Sequence, residues 1–122
     1  MTLFGEKLEY WLHLKNLGKQ RFAKKIGMGA SNFSNLLRGK RGIPNAELVD
    51  RICDVLNLST EERRDMHTRA GKSSRHIRIP DAASTKRQEL IIDLCSQLLE
   101  LPEMDIDYFL YRLQREKVGL FR

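Results

Sequence analysis

A chain of 122 residues has room for one compact domain, or for a small domain of about 70 residues with an appendage, and none for a barrel or a doubly wound enzyme. With 41% hydrophobic, 31% charged and 7% aromatic residues, it has apolar matter for a core and no compositional mark of disorder. The net charge of +6 is uneven: residues 1–70 carry 13 Lys and Arg against 8 acids, residues 71–88 carry 5 against 1, and residues 89–122 carry 4 against 7. Between Glu9 and Glu47 there is no acidic residue, while Lys15, Lys19, Arg21, Lys24, Lys25, Arg38, Lys40 and Arg41 supply eight cations. Solvated faces normally mix signs, so this stretch favours a polyanionic partner. No apolar run approaches the roughly 18 residues of a membrane span, and the start lacks the pattern of a signal peptide, so a soluble, cytoplasmic protein is expected. Cys53 and Cys95 have no Cys-x-x-Cys spacing and no nearby His; both are read as reduced, buried small hydrophobes, with no metal site and no cofactor implied.

Thr2 to Leu17 places Phe4, Leu8, Trp11 and Leu12 on one helical stripe and Leu3, Tyr10, Leu14 and Leu17 on an adjoining one, with Gly18 as the expected stop. Trp11 reads as core. Lys19 to Ile26 is a short helix with Phe22, Ala23 and Ile26 inward, and Gly27 can supply the positive-φ turn after it. From about Gly29 to Arg38 a further helix turns Phe33, Leu36 and Leu37 inward and leaves Ala30, Ser31, Asn32, Ser34 and Asn35 outward. That outward face lacks the long Glu and Lys side chains a merely solvated helix uses, and small amides and hydroxyls suit close approach to base edges. Gly39-Lys40-Arg41-Gly42 makes a basic turn.

Pro44 to Leu56 reads as a helix with Pro44 in its first turn, Leu48, Val49, Ile52, Val55 and Leu56 inward, and Asn57 closing it. Ser59 and Glu62 have capping-box spacing and open a fifth helix that runs through Ala70. Residues 71–85 read as a basic linker, with a short extended strand over 75–79 left open. Ser84 or Thr85 can cap a helix running to Leu101, whose apolar residues cover roughly 200° at 100° per residue. Pro102 can open a last helix with Ile106, Phe109, Leu110 and Leu113 on one face. A hairpin of these two, over 86–122, would cover about half of the first and leave the rest seeking a partner.

The segment Lys19 to Arg38 resembles the helix-turn-helix of the lambda-repressor-like, Cro/C1-type (XRE) DNA-binding family. The likeness is carried by Phe4-Gly5-Glu6-Lys7-Leu8, Leu17, Phe22-Ala23-Lys24-Lys25-Ile26-Gly27, Phe33 with Leu36, Arg38-Gly39-Lys40-Arg41, and Pro44 to Leu58, and it spans roughly residues 3–70. Ala23 must be small where the two helices cross. Lys19 stands where the family usually has Gln, Gly29 where a Ser or Thr caps, Leu37 for a common Glu and Glu9 for a common Arg. The resemblance implies a five-helix DNA-binding domain over 1–70; with the linker and the C-terminal hairpin read from spacing, the expected fold is all-α. It implies a third helix in the major groove, with Ala30, Ser31 and Asn35 facing bases and Asn32 and Ser34 beside them. Asn35 can pair bidentately with adenine, Ser31 is permissive, and Ala30 can meet only a thymine methyl. Arg38, Lys40 and Arg41 would face the phosphate backbone; Lys19, Lys24 and Lys25 are weaker candidates for it, because part of the second helix points away from the duplex.

No nucleophile has a recognisable base, and no loop is built to cradle phosphate, so catalysis is not expected. The leading reading is a homodimeric, sequence-specific transcriptional repressor that binds double-stranded DNA at an inverted repeat. Its dimer interface would be formed by Ile91, Leu94, Cys95 and Leu98. The runner-up, from a different class, is an antitoxin-like interaction module whose C-terminal hairpin binds a partner protein. In the linker, Lys72, Arg75 and Arg78 suit equally a solvated tether and an arm on DNA.

Overall fold

Seven helices and no strand occur among the residues that the computed structural model describes, 1–40, 42–74 and 76–119, with side chains through residue 115. They are α1 (Leu3–Leu14), α2 (Lys19–Lys25), α3 (Ala30–Arg38), α4 (Ala46–Leu56), α5 (Thr60–Gly71), α6 (Thr85–Gln97) and α7 (Glu103–Gly119). The chain divides into two units, Met1–Ile77 and Arg78–Arg122. The option of a strand over 75–79 is therefore not realised among the described residues. No helix among them is long and apolar enough to cross a membrane.

In the first unit, four helices end in the same way. Asn16, Gly27, Gly39 and Asn57 all adopt positive φ, between 53° and 76°. In each case the next amide donates five residues back: Leu17 to Leu12, Met28 to Ala23, Lys40 to Asn35 and Leu58 to Cys53, at 2.8–3.1 Å. This satisfies carbonyls that a helix end otherwise leaves without donors. The expectation at Gly27, Gly39 and Asn57 holds. At α1 it does not, because Asn16 takes the left-handed turn before Gly18 is reached. Asn tolerates that conformation better than other side chains do. Likewise Pro44 precedes α4 rather than opening it: Asn45 is the cap and accepts from the Leu48 amide at 2.8 Å. The Ser59–Glu62 capping box is closed in both directions. Its hydrogen bonds from Ser59 hold the Glu62 carboxyl below its ordinary pKa.

The core of this unit is built from the apolar faces of α1 to α5. Phe4, Leu8, Trp11 and Leu12 of α1 meet Phe22, Ala23 and Ile26 around α2, Phe33, Leu36 and Leu37 of α3, Val49, Ile52, Cys53 and Leu56 of α4, and Met66 and Ala70 of α5. Leu48 and Val55, expected inward, are partly buried at its edge. Of the second stripe expected on the first helix, Leu3, Tyr10 and Leu14 are exposed, and Leu17, past the end of α1, is partly buried against the core. Burial raises the Cys53 pKa and keeps the thiol protonated.

Helices α1 and α3 approach at backbone distance. A Cβ on Gly5 would lie 2.0 Å from the Leu37 carbonyl oxygen, so only glycine lets the two backbones meet there. The Thr2 amide donates to the same carbonyl at 3.5 Å. The first turn of α1 is closed by two hydroxyls: Thr2 accepts from the Gly5 amide at 3.1 Å, and Ser73 accepts from the Phe4 amide at 3.2 Å. Ser73 in turn donates to the Arg69 carbonyl at 2.8 Å and is buried. The packed unit therefore reaches past the end of α5.

In the second unit, Ser84 caps α6 by accepting from the Arg87 amide, and the Pro102 carbonyl accepts from Ile106 as α7 begins. α6 stops at Gln97, short of the expected Leu101, where the Glu100 and Leu101 amides both turn back to the Gln97 carbonyl. No described side chain of this unit is buried. Cys95 is exposed, against the expectation of a buried thiol, because α6 has nothing in its own unit to cover that face. Gly5→Ala should destabilise the first unit by about 1–3 kcal/mol or more through overpacking, read as a lower midpoint in thermal or denaturant unfolding; an unchanged midpoint would contradict the close approach.

Candidate nucleic-acid interface

Helix α3 is held by three buried side chains, Phe33, Leu36 and Leu37, on one flank. At 100° per residue, the residues left outside sort into a stripe of Ser31, Ser34, Asn35 and Arg38, at i, i+3, i+4 and i+7, with Ala30 at one margin and Asn32 well to the other side. Ala30, Ser31, Asn32 and Arg38 are exposed; Ser34 and Asn35 are half-buried. All five residues expected near bases thus lie off the core on one nine-residue helix, and Asn32 is the one most displaced from the stripe. Phe22 and Phe33 pack at 5.6 Å between ring centroids, fixing α2 against α3. A rigid helix with short polar side chains can approach a groove floor closely, which long flexible chains would prevent.

After α3 the backbone turns through Gly39 and Gly42, both at positive φ. Lys40 is exposed on this turn, and its amide is tied to Asn35. Arg41 lies outside the described residues. At the start of α2, Lys19 is exposed, yet its Nζ lies 2.5 Å from Glu9 Oε1 of α1. The two positions that depart from the family's usual Gln and Arg therefore pair with each other, and the acid offsets part of the charge Lys19 could offer a phosphate.

Sequence reasoning missed Gln20. It lines a small depression of about 80 Å³ between α2 and α3 together with Lys19, Ala30, Phe33, Ser34 and Leu37. Its amide is exposed beside two of the expected base-facing residues. Its place next to Lys19 at the start of α2 was the available signal, but the crossing geometry of the two helices decides which of the pair leans toward α3. Among the described residues no group of His, Cys, Asp and Glu could hold a metal ion.

The site in the second unit is of another kind. Ile91, Leu94, Cys95 and Leu98 fall within about 100° of arc on α6 and its final turn. All four are exposed, from Leu94 at 36% to Leu98 at 55%. Apolar side chains on α7, among them Phe109, Leu110 and Leu113, are exposed as well. Exposed apolar side chains in this number are unusual on the surface of a chain that stands alone.

Two comparisons with known proteins bear on this geometry. Residues 4–66 match the family model of a helix-turn-helix domain. The chain is also similar to the uncharacterized HTH-type transcriptional regulator YazB of Bacillus subtilis, 32% identical over 60 residues, which cover 49% of this chain and 86% of that protein. No solved structure matches the chain. Releasing Lys19 from its acid with Glu9→Gln should tighten binding to duplex DNA and steepen its salt dependence by up to about 0.9 log–log unit, the value of one phosphate contact; an unchanged slope in salt titrations would remove Lys19 from the interface.

Proposed function

Because the chain belongs to the helix-turn-helix domain family, we propose that it is a sequence-specific DNA-binding transcriptional regulator, a homodimeric repressor that reads an inverted repeat through α3. The observation that carries this reading is the α3 stripe of Ser31, Ser34, Asn35 and Arg38, which stands off a buried core inside a segment without a carboxylate. Asn35 supplies a bidentate amide for adenine, Ser31 a hydroxyl that accepts either partner, and Ala30 a methyl-sized contact. Arg38, Lys40 and Arg41 supply charge for the phosphates, Lys19 a weaker contribution, and Asn32 and Gln20 border the stripe. Charge gives affinity for any duplex, and the α3 side chains give preference among sequences. The relative's name as a transcriptional regulator supports the same role.

Dimerisation rests on the second unit. Two copies meeting through Ile91, Leu94, Cys95 and Leu98 would remove from water a surface that one copy leaves open, and a hairpin from each copy would close a four-helix bundle. Linking two DNA-binding units makes the second half-site contact intramolecular and raises affinity without new contacts. The runner-up is the antitoxin-like module, in which the same face is covered by another protein.

Asn35→Ala should cost about 1–3 kcal/mol on the preferred site and little on random duplex; equal losses on both, measured by fluorescence anisotropy, would reduce Asn35 to a positioning role. Leu98→Asp should yield a folded monomer with much weaker DNA binding in sedimentation and anisotropy experiments. An intact chain that sediments as a monomer at micromolar concentration would overturn the homodimer and favour a partner protein.

A further inference from the structure

The acid-free stretch of the first unit ends at Glu47, and the fold puts that residue on a cleft. The cleft has a volume of about 320 Å³ and lies between the turn after α2, the loop after α3 and the first turns of α4; small-molecule sites run from roughly 300 to 1,000 Å³. Part of its lining is apolar and fixed: Leu36 of α3 is buried, and Met28 and Leu48 are partly buried against the core. Ile43 stands on the same cleft at 51% exposure, a large apolar side chain that its unit leaves half open to water. Two charges complete the lining, Glu47 and Arg51, one turn apart on α4. Glutamate and arginine at that spacing commonly pair. Here the Arg51 guanidinium turns instead to the carbonyl of Ile26, at the end of α2, and donates to it at 3.1 Å. That bond holds the planar group in place, and no ion pair joins Arg51 to Glu47 among the described residues.

We propose that this cleft binds a small zwitterion with an apolar body, of the chemical class of an apolar α-amino acid, and that it is an effector site of the first unit. A guanidinium takes a carboxylate through two parallel hydrogen bonds, and the Glu47 carboxylate takes the ammonium. Side chains four residues apart on a helix start about 5–6 Å from one another, so a carboxylate and an ammonium carried on one carbon reach both. The apolar body lies against Met28, Leu36, Ile43 and Leu48. Each part of the lining excludes another class of ligand: Glu47 repels a polyanion, and a purely apolar compound leaves both charges beside it without partners. The ligand site stands without the reading of α3 as the DNA-reading helix; the effector role rests on that reading. Leu36 follows Asn35 directly, and Gly42, also on the cleft, is two residues past Lys40. An occupant therefore touches the helix and the turn that carry the residues assigned to DNA, and a coupling between the two bound molecules acts equally on both.

The test is a titration of the intact, isotope-labelled chain without DNA, followed by amide NMR shifts, with L-leucine, N-acetyl-L-leucine, L-leucinamide and glycine. Leucine should shift the amides of Met28, Ile43 and Leu48 saturably. The other three compounds lack its cation, its carboxylate and its apolar body in turn, and each should bind about tenfold more weakly or worse. Glu47→Gln should abolish the preference for leucine over N-acetyl-leucine and keep that over leucinamide; Arg51→Gln should do the reverse. Glu47 is exposed, so its variant should melt with the wild type in circular dichroism and decides the matter even where Arg51→Gln loses stability with the Ile26 bond. No saturable shift with leucine, equal binding of all four compounds, or a Glu47→Gln variant that keeps both preferences would overturn the site. Leucine at saturation should also change the affinity for a fluorescent duplex by about fivefold or more in anisotropy; an unchanged affinity would overturn the effector role. A chain that binds leucine and no duplex would overturn the reading of α3 and the effector role with it, and would support the ligand site alone.

Discussion

The close approach of Gly5 to the Leu37 carbonyl sets the geometry on which the placement of α3 depends. Helix α3 is nine residues long, and a helix of that length is marginal alone; its orientation comes from what it packs on. α2 holds one side through Phe22 and Phe33, and α1 holds the other at backbone distance. A side chain at position 5 would push α1 away, tilt α3 and loosen the anchor of Ser73 together, since all three meet at the first turn of α1. Stability, the orientation of α3 and the origin of the outgoing chain thus share one joint.

Much of the first unit was legible because its sequence is locally consistent. Buried side chains fall at helical spacing, and Gly27, Gly39 and Asn57 stand where a left-handed residue is needed. The misreadings have physical causes. Asn16 looks like a surface residue, yet it ends α1 before Gly18. Asn45 competes with Pro44 for the start of α4 and wins because its side chain closes the first turn. On the surface, the placement of Ala30, Ser31, Asn32, Ser34 and Asn35 off the core followed from spacing. The pairing of Lys19 with Glu9 and the place of Gln20 did not, because they depend on how α1, α2 and α3 cross. Cys95 was misjudged for a related reason: a helix with a wide apolar arc suggests burial, but burial needs a second surface, and among the described residues no side chain of α6 is buried.

The two units therefore differ in what they lack. The first has a filled core and capped helix ends, so its open chemistry is the charged and amide surface around α3. The second has capped helices and no interior, so its open chemistry is apolar. In the proposed dimer the two are complementary: the apolar surface would pair two chains, and the pairing would set the distance between two copies of α3.

Selection of bound duplexes from a random pool by the intact chain reads both parts at once. A pair of α3 helices related by a two-fold axis enriches an inverted repeat whose half-sites lie about 10 base pairs apart, centre to centre, or a multiple of that. Enrichment of a single unrepeated site, or of no sequence, would contradict a symmetric pair of chains reading DNA through α3.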